Sequence, residues 1–140
     1  MKRFVLDASV ALSWFIDHPT APYAIRVQRL LLAGDRAVVP PLWRLEVANG
    51  FVVAERRGIL SPSDTAQILQ SFQIVLAQSI EENQQSLTLS RVIATAREFR
   101  LTAYDADYLE TARTHQLPLA TLDRRLEEAA VQAGVPLVRG

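Results

Sequence analysis

Along the chain, short runs of consecutive apolar residues alternate with longer stretches in which apolar residues return every three or four positions. A strand buried on both faces produces the first pattern, and a helix with one face in a core produces the second. Arg3-Phe4-Val5-Leu6-Asp7 is a run of the first kind and ends on a carboxylate. It predicts a strand from Arg3 to Asp7, followed by a short apolar helix from Ser9 to Ile16. His18-Pro19-Thr20 breaks that helix. A second helix spans Ala21 to Ala33, with Ile25, Leu30, Leu31 and Leu32 on its apolar side, and Gly34 ends it. Ala37-Val38-Val39 is a second buried strand, stopped by Pro40-Pro41. Proline is permitted in a first helical turn, so a third helix runs from Leu42 to about Arg57, and Gly58 closes it.

Ser61-Pro62-Ser63-Asp64 has the pattern of a capped helix start, with serine at the cap, proline first and an acid three residues on. That helix carries Ile68, Leu69, Phe72 and Ile74, and a short strand is expected over Val75 to Gln78. Another helix is expected from Asn83 to Phe99, with Leu87, Leu89, Val92, Ile93 and Ala96 apolar. Leu101-Thr102-Ala103-Tyr104 leads into Asp105 and a helix from Ala106 to His115. A strand from Leu117 to Thr121 ends in Leu122-Asp123, a short helix from Arg124 to Ala133 ends at Gly134, and Val135 to Val138 forms a last strand. Strands alternate with helices throughout, which predicts one α/β domain over residues 1–140. Its core would be a parallel sheet of four to five strands with helices on both faces. There is no repeat, linker or low-complexity segment. In such sheets ligands bind at the carboxyl ends of the strands. Asp7 stands at one of those ends, so the question becomes which other acids join it.

Composition narrows the answer. Hydrophobic residues make up 49% of the chain and mean hydropathy is +0.09, which argues against disorder. The apolar runs are too short and too often interrupted by charge to span a bilayer. No small-residue cleavage site follows Met1-Lys2-Arg3, so a cytoplasmic protein is expected. Cysteine is absent, which excludes disulfides, a thiolate zinc site and a cysteine nucleophile. A metal would have to be held by oxygen, possibly with histidine; oxygen ligands suit magnesium or manganese. Net charge is zero, which alone does not point to nucleic acid. Setting four carboxylates aside from the 15 acids leaves 11 against 15 bases, so the rest of the surface would carry about +4 and could meet phosphates. Lys2 is the one lysine. Arginine suits bidentate phosphate contact, although compositional bias accounts for the excess equally well.

Asp7, Asp105 and Asp123 each sit where an extended or apolar segment turns into a helix. Aspartate is a good N-cap, and for any one of them capping is a sufficient explanation. For three together it weakens, since serine, threonine or asparagine would cap as well without a full charge. If the sheet is parallel, these charges converge on one edge and raise one another's pKa. Such an arrangement is sensible where a divalent cation binds. Glu46 is the fourth candidate, in an otherwise strongly apolar helix. It either belongs to a polar stripe with Asn49 and Arg57 or is buried for a purpose.

Four stretches, in order, resemble the PIN-domain family, and within it the VapC-type toxins of toxin–antitoxin pairs: Val5-Leu6-Asp7-Ala8-Ser9-Val10, Pro41-Leu42-Trp43-Arg44-Leu45-Glu46-Val47-Ala48-Asn49, Thr102-Ala103-Tyr104-Asp105-Ala106-Asp107-Tyr108-Leu109 and Leu119-Ala120-Thr121-Leu122-Asp123-Arg124-Arg125-Leu126. Each is weak alone; the ordered set is specific and covers essentially the whole chain. The resemblance implies a PIN-like fold and a Mg²⁺-dependent endoribonuclease in which Asp7, Glu46, Asp105 and Asp123 bind metal, with Mn²⁺ as a substitute. It implies that Ser9, Asn49 and Thr121 support the acids, against the plainer roles of turn serine, helix-surface asparagine and strand threonine. It also implies an RNA substrate, a cognate antitoxin and a homodimer. Asp107 departs from the small residue expected there and reads as first-turn dipole chemistry. Arg44, Arg124 and Arg125 are candidates to hold the RNA backbone or are solvated helix residues. Trp14, Trp43, Phe51 and Phe72 serve an interface or the core.

Rival classes lack their signatures. There is no Gly-x-x-x-x-Gly-Lys or Gly-x-Gly-x-x-Gly phosphate cradle. Response-regulator receivers need a lysine late in the chain, and dehalogenase-type phosphatases need a second aspartate where Ser9 stands. His18 and His115 fall in or beside connections and read as ordinary polar residues. The alternative of another class is a non-catalytic RNA-binding or partner-binding module that keeps the fold.

Overall fold

Val5 and Leu6 are fully buried and lie at the centre of a four-stranded parallel sheet. The computed structural model describes residues 1–139. Its strands are β1 (Arg3–Leu6), β2 (Arg36–Val39), β3 (Ile80–Glu82) and β4 (Leu119–Ala120), in the order β3-β2-β1-β4. The register pairs Val5 with Val38 on one side and with Leu119 on the other, and Val38 in turn with Glu81. The helices are α1 (Ala8–Ile16), α2 (Pro22–Leu32), α3 (Leu42–Arg56), α4 (Pro62–Val75), α5 (Leu89–Phe99), α6 (Ala103–His115) and α7 (Arg124–Gln132). The parallel α/β architecture is the one expected, and because the sheet is parallel all four strands end on one edge.

Several expected elements move. The strand expected over Val75–Gln78 is displaced: α4 continues through Val75, a 3₁₀ turn covers Ala77–Ser79, and the strand is Ile80–Glu82. Ladder bonds to β2 decide its place, and a three-residue edge strand carrying Glu81 and Glu82 has little apolar signal. The helix expected from Asn83 starts at Leu89 instead. Asn83 gives its backbone N–H to Val39 O at 2.8 Å, its Oδ1 accepts from Gln85 N at 3.2 Å, and Thr88 Oγ1 caps α5 by accepting from Arg91 N. The helix expected from Ala106 begins at Ala103, capped by Thr102. The strand expected over Val135–Val138 contracts to one bridge, Leu119 to Leu137.

A single hydrophobic cluster runs through the sheet and its covering helices. Phe15 stacks on Phe51 at 5.5 Å and meets Phe72 edge-on at 5.3 Å, tying α1, α3 and α4 together. Trp43 and Phe51 are buried, and Trp14 and Phe72 are half-buried against the same cluster, so these four aromatics serve the core rather than an interface. No helix among the described residues is long and apolar enough to cross a membrane.

Candidate active site

β1 delivers Asp7 to the middle of the sheet's carboxyl edge, where the residue is only 5% exposed. Asp7 occupies the N-cap position of α1 yet makes no side-chain capping bond. Its Oδ2 instead accepts from Ser9 Oγ at 2.6 Å and from Thr121 Oγ1 at 2.7 Å. Each hydroxyl is itself held by a backbone donor: Ser9 Oγ accepts from Leu122 N at 3.0 Å, and Thr121 Oγ1 from Asp123 N at 2.9 Å. Two short donors per hydroxyl-carboxylate chain fix both the rotamers and the spare lone pairs. Burial still pushes the Asp7 carboxyl up, against the two hydroxyls that favour its charged form, and Asp123 adds to the rise. Capping therefore does not account for Asp7.

The other acids come from three further elements. Asp105 stands in the first turn of α6 rather than at its cap, because Thr102 Oγ1 holds the cap by accepting from Asp105 N at 3.1 Å. Burial, reinforced by Asp123 and then Asp7, pushes Asp105 up to about 6, in spite of the opposing charge of Arg125. Asp123 does cap, accepting from Leu126 N at 3.0 Å at the start of α7. Glu46 is half-buried on α3 and faces inward: Tyr108 donates its hydroxyl to Glu46 Oε1 at 2.6 Å. Burial pushes Glu46 up, and the charges of Asp7, Asp105 and Asp107 push the same way. Burial and Glu46 together drive the Tyr108 phenol far above its usual range, so it is a standing donor.

Tyr108 is the residue that sequence reasoning missed. It is completely buried and sits among core positions of α6, which is how its periodicity reads. The available signal was chemical, since a buried tyrosine hydroxyl needs a partner.

The remaining candidates separate. Ser9 and Thr121 touch Asp7 directly. Asn49 is exposed on α3, on the helix surface. Arg44 is exposed and paired with Glu82 at 3.3 Å, while Arg124 and Arg125 are exposed at the start of α7. Asp107 lies beyond the first turn of α6, since that helix starts at Ala103, so first-turn dipole chemistry does not explain it. It is half-buried, and burial pushes its carboxyl up. A cavity of 840 Å³ lies between α7 and the C-terminal segment, lined by Tyr23, Glu127 and Val131, and it meets the acid cluster at Thr121.

Asp123 presses on Asp7, Asp123 and Asp7 press on Asp105, and Asp7 and Asp105 press on Glu46, so the four acids lie within electrostatic reach and offer an all-oxygen donor set fit for a hard divalent cation. As the side chains stand, no three acidic or histidine residues among those described converge on a point where they could hold an ion.

A parallel α/β fold with acids from β1, α3, α6 and the start of α7 at one edge defines the class of protein. The chain belongs to the PIN-domain family, whose model matches residues 4–132. PIN domains are in general nucleases that use divalent metals. Among solved structures the fold is similar to that of PAE2754 from Pyrobaculum aerophilum, with a TM-score of 0.68 and 23% identity over 91% of this chain and 84% of that one. It is also similar to FitAcB from Neisseria gonorrhoeae, with a TM-score of 0.59 and 18% identity over 97% of this chain and 96% of that one. No curated protein matches the sequence.

Proposed function

We propose that this chain, as one PIN domain over residues 1–140, is a Mg²⁺-dependent endoribonuclease and the toxin of a cytoplasmic toxin–antitoxin pair. The observation that carries the proposal is the electrostatic coupling of Asp7, Glu46, Asp105 and Asp123 at the sheet's carboxyl edge. Asp7 and Asp105 are the principal ligands in this scheme, direct or through water, and Glu46 and Asp123 complete the shell or orient the attacking water. A bound divalent ion supplies polarisation of the phosphate and a water of lowered pKa. With the ion held there, a water oxygen would attack phosphorus as the bond from phosphorus to the leaving ribose oxygen breaks; a carboxylate of the cluster would take the water's proton, and the leaving oxygen would take a proton from solvent to become a hydroxyl. Ser9 and Thr121 keep Asp7 in one rotamer, and Tyr108 does the same for Glu46. Arg124 and Arg125 flank the cluster and serve the RNA phosphates.

Support for partners comes from a different surface. Leu45 on α3 is 75% exposed and Ile74 on α4 is 73% exposed, with Val52, Leu69 and Val75 also open on the same two helices. Large open apolar side chains of this kind fit an antitoxin or a second copy of the chain. The second reading, a module that binds RNA or a partner without cutting, is favoured by one observation: among the described residues no three acids share a point as they stand.

Thermal denaturation with Mn²⁺ separates the two. A ligand that binds only the folded state at about 100 times its Kd stabilises by about 2.7 kcal/mol. The expected result is a rise in Tm for the native chain and a much smaller rise for Asp7→Asn. No rise, or an equal one in both, would sink the metal site.

A further inference from the structure

α6 turns two acids toward different neighbours. Asp105 feels Asp123 and Asp7, whereas Asp107 acts on Glu46 and opens into a separate cavity of 410 Å³. This cavity lies at the same edge of the sheet as the acids, because its wall is made where β2 runs out into Pro40-Pro41-Leu42 and β3 into Asn83. Tyr104, one helical turn before Asp107, lines it and is 64% exposed. Pro40, Pro41 and Leu42 add apolar surface to the same lining. The segment after β3 is pinned by the Asn83–Gln85 hydrogen bonds and by the bond from Asn83 N to Val39 O, so the cavity keeps its far wall.

The Asp107 carboxylate is little used by the protein itself. Among the described residues its one side-chain hydrogen bond is a long one, 3.5 Å from Thr111 Oγ1, a hydroxyl committed to the Asp107 backbone carbonyl at 2.7 Å. No arginine, lysine or histidine among the described residues pairs with it. A cavity lined by an exposed aromatic ring, apolar side chains and a half-buried carboxylate without a close partner suits a planar group that carries adjacent N–H donors. Unstacked RNA bases are held in this way, by stacking on aromatic side chains and by hydrogen bonds to their Watson–Crick edges. Of the four bases, guanine alone presents two neighbouring donors on that edge, N1–H and N2–H, and these match the two oxygens of a carboxylate.

We propose that Tyr104 and Asp107 form a guanine-binding subsite beside the acid cluster, which selects single-stranded RNA with guanine at or next to the cut. The subsite rests on the ribonuclease reading for its biological meaning, but it can be tested apart from it. The test uses short single-stranded RNAs that differ at one position, which carries guanine, inosine, 7-deazaguanine or adenine, with the native chain, Asp107→Asn and Tyr104→Ala. Cleavage is read in Mg²⁺, and binding of the same RNAs is read by fluorescence anisotropy with Asp7→Asn.

A bidentate base contact gives discrimination of about tenfold to 100-fold. Guanine and 7-deazaguanine are therefore expected to be preferred over adenine by about that factor, with inosine, which lacks the 2-amino group, between them. Asp107→Asn is expected to remove the preference, since the amide presents a donor to a donor. Tyr104→Ala is expected to weaken binding of all bases. Cleavage without guanine preference, or a preference that survives Asp107→Asn, overturns the subsite and leaves the nuclease standing. Guanine-selective binding without any cleavage keeps the subsite and removes the nuclease. Binding that is indifferent to guanine, or no binding, overturns the subsite whether or not cutting occurs.

Discussion

Asp7 is held by two hydroxyls, and each of those is held by a backbone N–H, so its geometry is set by residues 114 positions apart in the chain. At Asp105 burial first, then the charges of Asp123 and Asp7, outweigh Arg125 and the Thr102 hydroxyl and push the carboxyl up to about 6. Its reference value in an unfolded chain is about 3.9. The folded pKa is the higher of the two, so the stability linked to Asp105 is fully present below about pH 4 and is lost as pH rises through about 6. In EDTA, the Tm contribution of Asp105 is therefore lost between about pH 4 and 6, and over that window the native chain is expected to lose stability relative to Asp105→Asn. Parallel curves would mean that neither burial nor the neighbouring acids raise Asp105. Asp7 and Glu46 remain in both proteins, and the difference between the curves reports Asp105 together with the upward push it exerts on Glu46.

At the scale of elements, the site depends on how α6 starts. Thr102 caps that helix and in doing so fixes the turn that carries Asp105. Ser61 caps α4 through a full capping box with Asp64, away from the acid cluster. Loss of either cap is expected to cost about 1 kcal/mol. Thr102→Ala should also blunt the stabilisation by Mn²⁺, whereas Ser61→Ala should lower Tm and leave the Mn²⁺ increment intact. Equal increments in the two variants would show that the α6 cap plays no part in positioning Asp105. The same elements mark what the sequence makes legible. β1 and β2 are dense apolar runs of fully buried positions and stand out as strands. Asp7 and Asp123 follow from strands ending at helices, and Asp105 from an apolar lead-in. β3 is an edge strand with two glutamates, placed by its ladder to β2, and no local pattern reveals it. The cap at Thr102 was in plain sight, as a threonine three residues before an acid, yet the apolar flanks drew the helix start to Ala106. The Tyr108–Glu46 bond joins residues 62 apart and is a product of tertiary packing alone.

At the scale of the molecule, the parallel sheet does one job for the site: it brings four strand ends to one edge, so that acids far apart in sequence come within electrostatic reach. Neutral net charge conceals this, because the acids gathered at that edge leave a surplus of arginine elsewhere. The central claim is that the acids cut RNA with a divalent ion. Its most direct test is cleavage of a mixed RNA pool by the purified chain in Mg²⁺ or Mn²⁺ and in EDTA, with Asp7→Asn prepared in parallel. The expected result is cutting that needs the metal and disappears in Asp7→Asn, a loss of at least about 100-fold if Asp7 positions the reacting groups. Cutting that persists in EDTA, equal cutting by the variant, or no cutting of any RNA by either protein would contradict it.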